Sequence, residues 1–170
     1  MTKRVKSTKV GDIFEFVINS EEKRYLQYVI SDMSQLNSDV VRVFKKKYPI
    51  SSTPSLDTIT NDNILFYTHC DTKTGIKKEI WKLYGNSQEV GITDDIYFRC
   101  PETTTNKWNP DAPNWFIWNC NEDAFFVRKL TKEQKQLPLG GVYPVDFVRL
   151  LILNEDCNSF PEKYWSEMEK

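Results

Sequence analysis

The chain has 170 residues, a net charge of −1 at pH 7, an aromatic fraction of 14% and only six glycines. A chain of this length buries about two-thirds of its unfolded surface around one core, so we predict a single domain over residues 1–170. The abundant aromatic residues and scarce glycines exclude a disordered chain. The balanced charge argues against a general nucleic-acid binder, because nonspecific affinity for phosphates requires an excess of lysine and arginine.

The N-terminal segment 1–8 is basic, and we interpret it as a flexible arm. No apolar core of a signal peptide follows it, and no apolar run is long enough to cross a bilayer. The four cysteines are widely spaced without a C-x-x-C pair, which favours free buried thiols, with one or two disulfides as the alternative. We therefore expect a cytoplasmic protein with no membrane partner.

Alternating apolar residues predict a succession of short strands. The predicted strands are 13–18, 24–31, 40–44, 64–70, 77–84, 96–100, 115–120 and 124–130. A turn at 71–75 is expected to join two of them as a hairpin, with Gly75 at positive φ, and residues 121–123 join the last two.

The pattern changes at Thr131, and we expect residues 131–170 to be mostly helical. Thr131 and Gln134 fit a capping box, which predicts a short helix over 132–137. Pro144 suits the first position of an amphipathic helix, and a strand is the alternative because of Val142, Val145 and Val148. Residues 160–170 have the pattern of a further helical turn or two. The fold class is mainly β (α+β): a strongly bent antiparallel sheet or SH3-like partial barrel with C-terminal helices.

Two long polar segments, 48–63 and 101–114, are interpreted as loops and as candidate contact surfaces. Trp108 lies on the second segment, which three prolines stiffen. An exposed aromatic ring on a stiff loop suits recognition of a partner, because it buries area at little entropic cost. The alternative is that Trp108 folds back onto the core.

The sequence contains no recognisable catalytic motif. His69 is the single histidine, which excludes multi-histidine metal sites, and its neighbour Cys70 points to the opposite face of the predicted strand. No glycine-rich phosphate-binding motif is present. We therefore predict no enzymatic activity, no catalytic residue, no metal and no cofactor, and we interpret His69 as a hydrogen-bonded structural residue. An enzyme centred on His69 is a third candidate function.

The acidic residues are concentrated in one segment. Residues 86–125 hold seven acidic and two basic side chains, a net charge of −5. The segments 3–9 and 42–47 are basic. A near-neutral protein with separated charges could meet a charged partner, because complementary potentials speed encounter and suppress wrong partners. The alternative is a solvated surface without a partner.

Several short apolar motifs carry a family resemblance. Val10-Gly11-Asp12-Ile13-Phe14, a tyrosine-rich strand over 25–30 and then Val41-Arg42-Val43-Phe44 resemble the start of the immunity protein 26 family of bacterial polymorphic toxin systems. Trp81-Lys82-Leu83 and Tyr143-Pro144-Val145-Asp146-Phe147 follow in the expected order. The resemblance implies a cytoplasmic antitoxin that binds one cognate secreted toxin and blocks its active site, with no catalysis of its own.

From the resemblance and the charge pattern we expect an acidic face that meets a basic toxin, for which a nuclease is one candidate. The predicted contact residues are Trp108, Asp111, Glu102, Asp94 and Asp95.

The alternative function is a small nucleic-acid-binding β-barrel module. It would use basic side chains together with neighbouring aromatic rings such as Tyr25 and Tyr48. Those basic residues are Lys3, Arg4, Lys6, Lys45, Lys46 and Lys47.

Overall fold

The computed structural model describes residues 7–102 and 111–158, and within them the protein is mainly β with two antiparallel sheets. The strands are β1 (Asp12–Val17), β2 (Glu22–Asp32), β3 (Ser38–Phe44), β4 (Tyr48–Pro49), β5 (Ile64–Cys70), β6 (Lys82–Asn86), β7 (Tyr97–Pro101), β8 (Trp115–Asn119) and β9 (Phe125–Val127). The helices are α1 (Leu56–Thr60), α2 (Thr72–Lys77) and α3 (Val145–Asn154), with a 3₁₀ turn at Gln134–Gln136.

The larger sheet has the strand order β5-β3-β2-β1-β6, and β4 pairs with β2 beside this path. Register shifts interrupt the pairing next to Ile13, Tyr28 and Val43. Such bulges bend strands and increase their twist. The smaller sheet has the order β7-β8-β9, and neither sheet closes on itself. The prediction of a mainly β, bent antiparallel architecture with a C-terminal helix is confirmed.

One face of the larger sheet packs against α3 and α2. Alternate residues of the central strands, such as Phe14, Leu26 and Val43, point to this face and meet Phe147 and Leu151 of α3. The spacing of the two α3 residues places them on one side of the helix, as an amphipathic helix on a sheet requires. Trp81 fills the end of this core beneath α2.

Two separate groups of residues pack against the opposite face of the larger sheet. At one end, Ile13, Tyr25 and Phe44 pack beneath α1. At the other end, Val29 and Val40 pack against residues of the smaller sheet and the segment before it. The smaller sheet therefore stacks on one end of the larger one, and its strand β8 carries Trp118 into the shared interior.

The predicted hairpin across 71–75 is wrong. Residues Thr72–Lys77 form a helix, because the Asp71 carboxylate caps it by accepting from the Thr74 backbone N–H at 2.8 Å. Gly75 lies inside this helix rather than at positive φ. The following strand begins at Lys82 and pairs with β1, not with β5.

Segment 48–63, predicted to be an ordered surface loop, contains the regular elements β4 and α1. Ser55 caps α1 through its hydroxyl, which accepts from the Thr58 N–H at 3.2 Å.

The capping box of Thr131 and Gln134 forms in both directions, at 3.2 and 2.9 Å, but only a 3₁₀ turn follows it where we predicted a helix over 132–137. The expected helical turns at 160–170 and most of the basic arm 1–8 lie outside the described residues. No helix in the described part of the chain is long and apolar enough to span a membrane.

Candidate protein-binding surface

The hairpin of β8 and β9 exposes three phenylalanine rings. Phe116 of β8 is 37% exposed, and Phe125 and Phe126 of β9 are each 48% exposed. Phe116 and Phe126 are directly opposite in the register, and their ring centroids lie 5.8 Å apart in an edge-on arrangement. Phe125 points to the other face by strand alternation. Aromatic surface therefore flanks the strand β9 on both faces.

Strand β9 is an edge strand, because it pairs only with β8 among the described residues. An edge strand leaves backbone N–H and C=O groups on its outer side available for a partner chain. We use the name β9 surface for the unpaired edge of β9 together with the exposed rings of Phe116 and Phe126 on one face and of Phe125 on the other.

Acidic side chains surround one end of the β9 surface. Glu122 and Asp123 lie in the turn between β8 and β9, and Asp94 and Asp95 lie in the turn before β7. Both turns are at the same end of the smaller sheet, because Tyr97 at the start of β7 pairs with Asn119 at the end of β8. All four carboxylates are exposed, and within the described residues none of them forms an ion pair.

A buried carboxylate positions this hairpin against the larger sheet. Asp32 Oδ2, at the end of β2, accepts hydrogen bonds from Trp118 Nε1 of β8 and from His69 Nε2 of β5, both at 2.9 Å. The side chains of Asp32 and His69 have no exposed surface, and Trp118 is nearly buried. Three strands from two sheets therefore meet at one carboxylate group.

Residues of the β2–β3 connection, which follows Asp32, form hydrogen bonds to the turn between β8 and β9. Asn121 adopts φ 64°, a left-handed conformation that asparagine tolerates, and its Oδ1 accepts from the Met33 N–H at 2.8 Å. The Glu122 carbonyl accepts from Ser34 Oγ and Gln35 Nε2, each at 3.0 Å. The acidic turn is thus fixed to the β2–β3 connection, and its carboxylates project from a supported backbone.

The charge states of the buried pair follow from its surroundings. Burial lowers the pKa of His69, and this effect outweighs the raising influence of the Asp32 carboxylate. Burial also acts to raise the pKa of Asp32, but the hydrogen bonds from His69 and Trp118 outweigh it and leave that pKa lowered. At neutral pH the pair is therefore an aspartate and a neutral histidine that donates from Nε2, while Nδ1 has no hydrogen-bond partner within the described residues.

The structure separates the predicted contact residues. Asp94 and Asp95 precede β7, whereas Glu102 follows it and accepts from Asn114 Nδ2 at 2.7 Å. Five residues of extended strand separate the two groups, a distance of about 17 Å. Asp111 lines a cavity on the outer face of the smaller sheet. Trp108 lies outside the described residues.

Sequence reasoning missed the phenylalanines of the β9 surface. The sequence pattern predicts a longer strand over 124–130, whereas β9 has only three residues. The adjacent pair Phe125-Phe126 directly after an acidic turn was the available signal, because two neighbouring strand residues cannot both face one core.

The aromatic rings proposed for nucleic-acid stacking are not accessible. Tyr25 and Tyr48 are buried beneath α1, with their ring centroids 5.3 Å apart. Lys46 Nζ lies 4.7 Å from the Tyr48 ring centroid, and Lys47 pairs with Glu155 at 3.0 Å. These residues therefore form no exposed stacking platform.

His69 has the hydrogen-bonded position expected of a structural histidine in a strand. The four cysteines are free thiols, of which Cys70 and Cys120 are buried. Across residues 7–102 and 111–158, no group of three or more histidine, cysteine, aspartate or glutamate side chains could hold a metal ion.

No protein-family model matches this sequence, and no solved structure matches the fold.

Proposed function

We propose that this protein is an immunity protein that binds a cognate secreted bacterial toxin and neutralises it by occluding the toxin's active site. The observation that carries the proposal is the β9 surface, where three exposed phenylalanine rings lie on a hairpin of the smaller sheet, and four exposed carboxylates at one end of that sheet form no ion pair with any described residue. The proposal also draws on the motif resemblance in the sequence.

The apolar part of the β9 surface has the character of a binding centre. Aromatic side chains are enriched at interface centres, where they bury a large area and lose few rotamers on binding. Phe116 and Phe126 already contact each other, so their arrangement is partly fixed before a partner arrives. A partner that covered both rings would remove from water apolar area that the fold leaves exposed.

The acidic rim indicates the charge of the partner. Glu122, Asp123, Asp94 and Asp95 create a local negative potential that a basic toxin surface would complement. Proteins that bind nucleic acids neutralise backbone phosphates with lysine and arginine side chains, so their binding surfaces are basic. A basic nuclease is therefore the toxin class we favour.

The test is co-expression with the product of the neighbouring gene. We expect this protein to restore growth of cells that produce that toxin, and to co-purify with it as a stable complex. A neighbouring gene that encodes no secreted toxin, together with failure to rescue cells from any adjacent effector, would overturn the proposal.

Charge reversal at the rim separates electrostatic attraction from folding. Replacing Glu122 and Asp123 with lysine should slow association with the toxin and weaken its dependence on salt, because both effects arise from long-range attraction. Glu21, an exposed glutamate in the β1–β2 turn at a distance from the β9 surface, provides the matched control. Glu21→Lys should leave the association rate unchanged within about twofold.

A further inference from the structure

A cavity of about 520 Å³ lies on the outer face of the smaller sheet, away from the larger sheet. Its volume falls within the range of small-molecule sites. The residues that line it are Arg99, Asp111, Ala112, Pro113, Trp115, Arg128, Lys129, Leu130, Lys135 and Asn158. The cavity therefore has an apolar wall and an unusual number of cationic side chains.

Arg99 is the central feature of this cavity. The residue is only 6% exposed, and its guanidinium carbon lies 5.0 Å from the centroid of the Trp115 ring. Arg99 Nε donates to the Leu137 carbonyl at 2.8 Å, which fixes the guanidinium plane. Its two Nη atoms donate no hydrogen bond within the described residues and are not sealed from solvent.

The charge of Arg99 is not neutralised within the described part of the chain, where no carboxylate forms an ion pair with it. Burial lowers the pKa of Arg99, which means that the surroundings disfavour the charged guanidinium. A buried cation without a counterion is costly, so an anion that entered the cavity would relieve this cost.

The other charged residues that line the cavity also favour an anionic ligand. Arg128, Lys129 and Lys135 add three further cations, and Asp111 is the one carboxylate among the described lining residues. The net charge of +3 on these described residues suits a ligand group with more than one negative charge. A phosphate has this charge and also matches the bidentate geometry of a guanidinium.

We propose that this cavity binds a small molecule that carries a phosphate group. Arg99 donates hydrogen bonds to the phosphate oxygens, and the positive charges of Arg128, Lys129 and Lys135 lie around the phosphate. The apolar wall of Ala112, Pro113 and Leu130 contacts the organic part of the ligand. This proposal is separate from the proposed toxin binding, because the cavity and the β9 surface have no residue in common.

Titration of the isotopically labelled full chain with phenyl phosphate, followed by NMR, tests the proposal. We expect saturable shifts of the Arg99 Nε–H resonance and of backbone resonances at 128–135. Inorganic phosphate should shift the same resonances with lower affinity, because it lacks the apolar part. Benzyl alcohol, which has the ring without the charge, should cause no saturable shift. Absence of saturable shifts with phenyl phosphate, or equal binding of benzyl alcohol, would overturn the proposal.

Surface variants avoid the risk that a change at buried Arg99 prevents folding. Replacing Arg128 and Lys129 with alanine should weaken phenyl phosphate binding by about 10- to 100-fold, because charged hydrogen bonds are lost. Lys132, an exposed lysine on the same connection that does not line the cavity, is the matched control. Lys132→Ala should change the affinity less than about twofold. Equal affinities of the double variant and the control for phenyl phosphate would contradict the proposed binding site.

Single-stranded RNA distinguishes the proposal from nucleic-acid binding. Large resonance shifts with RNA but none with phenyl phosphate would show that the basic side chains bind nucleic acid, and would overturn the small-molecule proposal.

Discussion

His69 Nε2 lies 2.9 Å from Asp32 Oδ2 in the interior between the two sheets, and neither side chain has exposed surface. The same Asp32 oxygen accepts from Trp118 Nε1, so this carboxylate joins β2 and β5 of the larger sheet to β8 of the smaller one. The contact between the sheets therefore combines this buried polar group with the apolar packing of residues such as Val29, Val40 and Phe98.

Asp32→Asn should destabilise the protein by about 2–4 kcal/mol, because an amide provides one acceptor where the carboxylate provides two, and hydrogen bonds to a charged group are lost. Urea denaturation measures the free energy of unfolding. The matched control is Asp95→Asn at an exposed turn, which should change it by less than about 0.5 kcal/mol. Equal stabilities of the two variants would show that the buried carboxylate contributes nothing to the fold.

Stability should decrease as the pH falls from 7 to 5, with His69 as the cause. The pKa of His69 is lowered in the folded protein, so the unfolded chain binds the proton first. The stabilising contribution is complete above the unfolded value of about 6.5 and is lost below it, with a slope of up to about 1.4 kcal/mol per pH unit. Since His69 is the single histidine, no other side chain with an ordinary pKa titrates in this range.

His69→Gln tests this assignment. Glutamine keeps an N–H donor for Asp32 but does not titrate, so urea midpoints of the variant should be nearly constant between pH 7 and 5. A wild-type slope that persists in the variant would assign the pH dependence to another group.

Gly75→Ala should destabilise the protein, although alanine is ordinarily the better residue inside a helix. A Cβ atom at position 75 would lie 2.0 Å from ring carbons of Trp81, which is buried and donates from Nε1 to the Thr72 carbonyl at 3.0 Å. Displacing this ring from the core should cost about 1–3 kcal/mol.

Thermal or urea denaturation compares the stability of the Gly75→Ala variant with that of the wild type and of a control variant. Lys77→Ala, an exposed change in the same helix, should be close to neutral. A Gly75→Ala variant that is more stable than the wild type would contradict the packing described for Trp81.

Local sequence patterns predicted the strands but not all of their partners. The strand 64–70 has the predicted bounds, because polar residues border its apolar run on both sides. The pairing of β6 with β1 joins segments about 70 positions apart, and alternation within a strand does not specify its partner. Helix α2 has six residues, too few to show a helical period, so only its Asp71 cap could have indicated it.

The candidate site was predicted even less completely. The acidic character of 86–125 is visible in the sequence, but strand register decides which of its carboxylates lie together. Asp94 and Asp95 lie at the same end of the smaller sheet as Glu122 and Asp123, while Glu102 lies at the other end of β7. The hydrogen bonds of Asp32 to His69 and Trp118 could not be predicted for the same reason, because these partners lie 37 and 86 positions away in the sequence.

The proposed binding of a toxin by the β9 surface is tested most directly by the dissociation constant of the complex with the neighbouring gene's product. Phe126→Ser should weaken that affinity by at least about 30-fold, as expected for a central aromatic contact. The matched control is Leu83→Ser, because Leu83 is 53% exposed on β6 in the larger sheet. The control should bind as the wild type does. An affinity that Phe126→Ser leaves unchanged, in a variant that folds normally, would contradict the proposed surface.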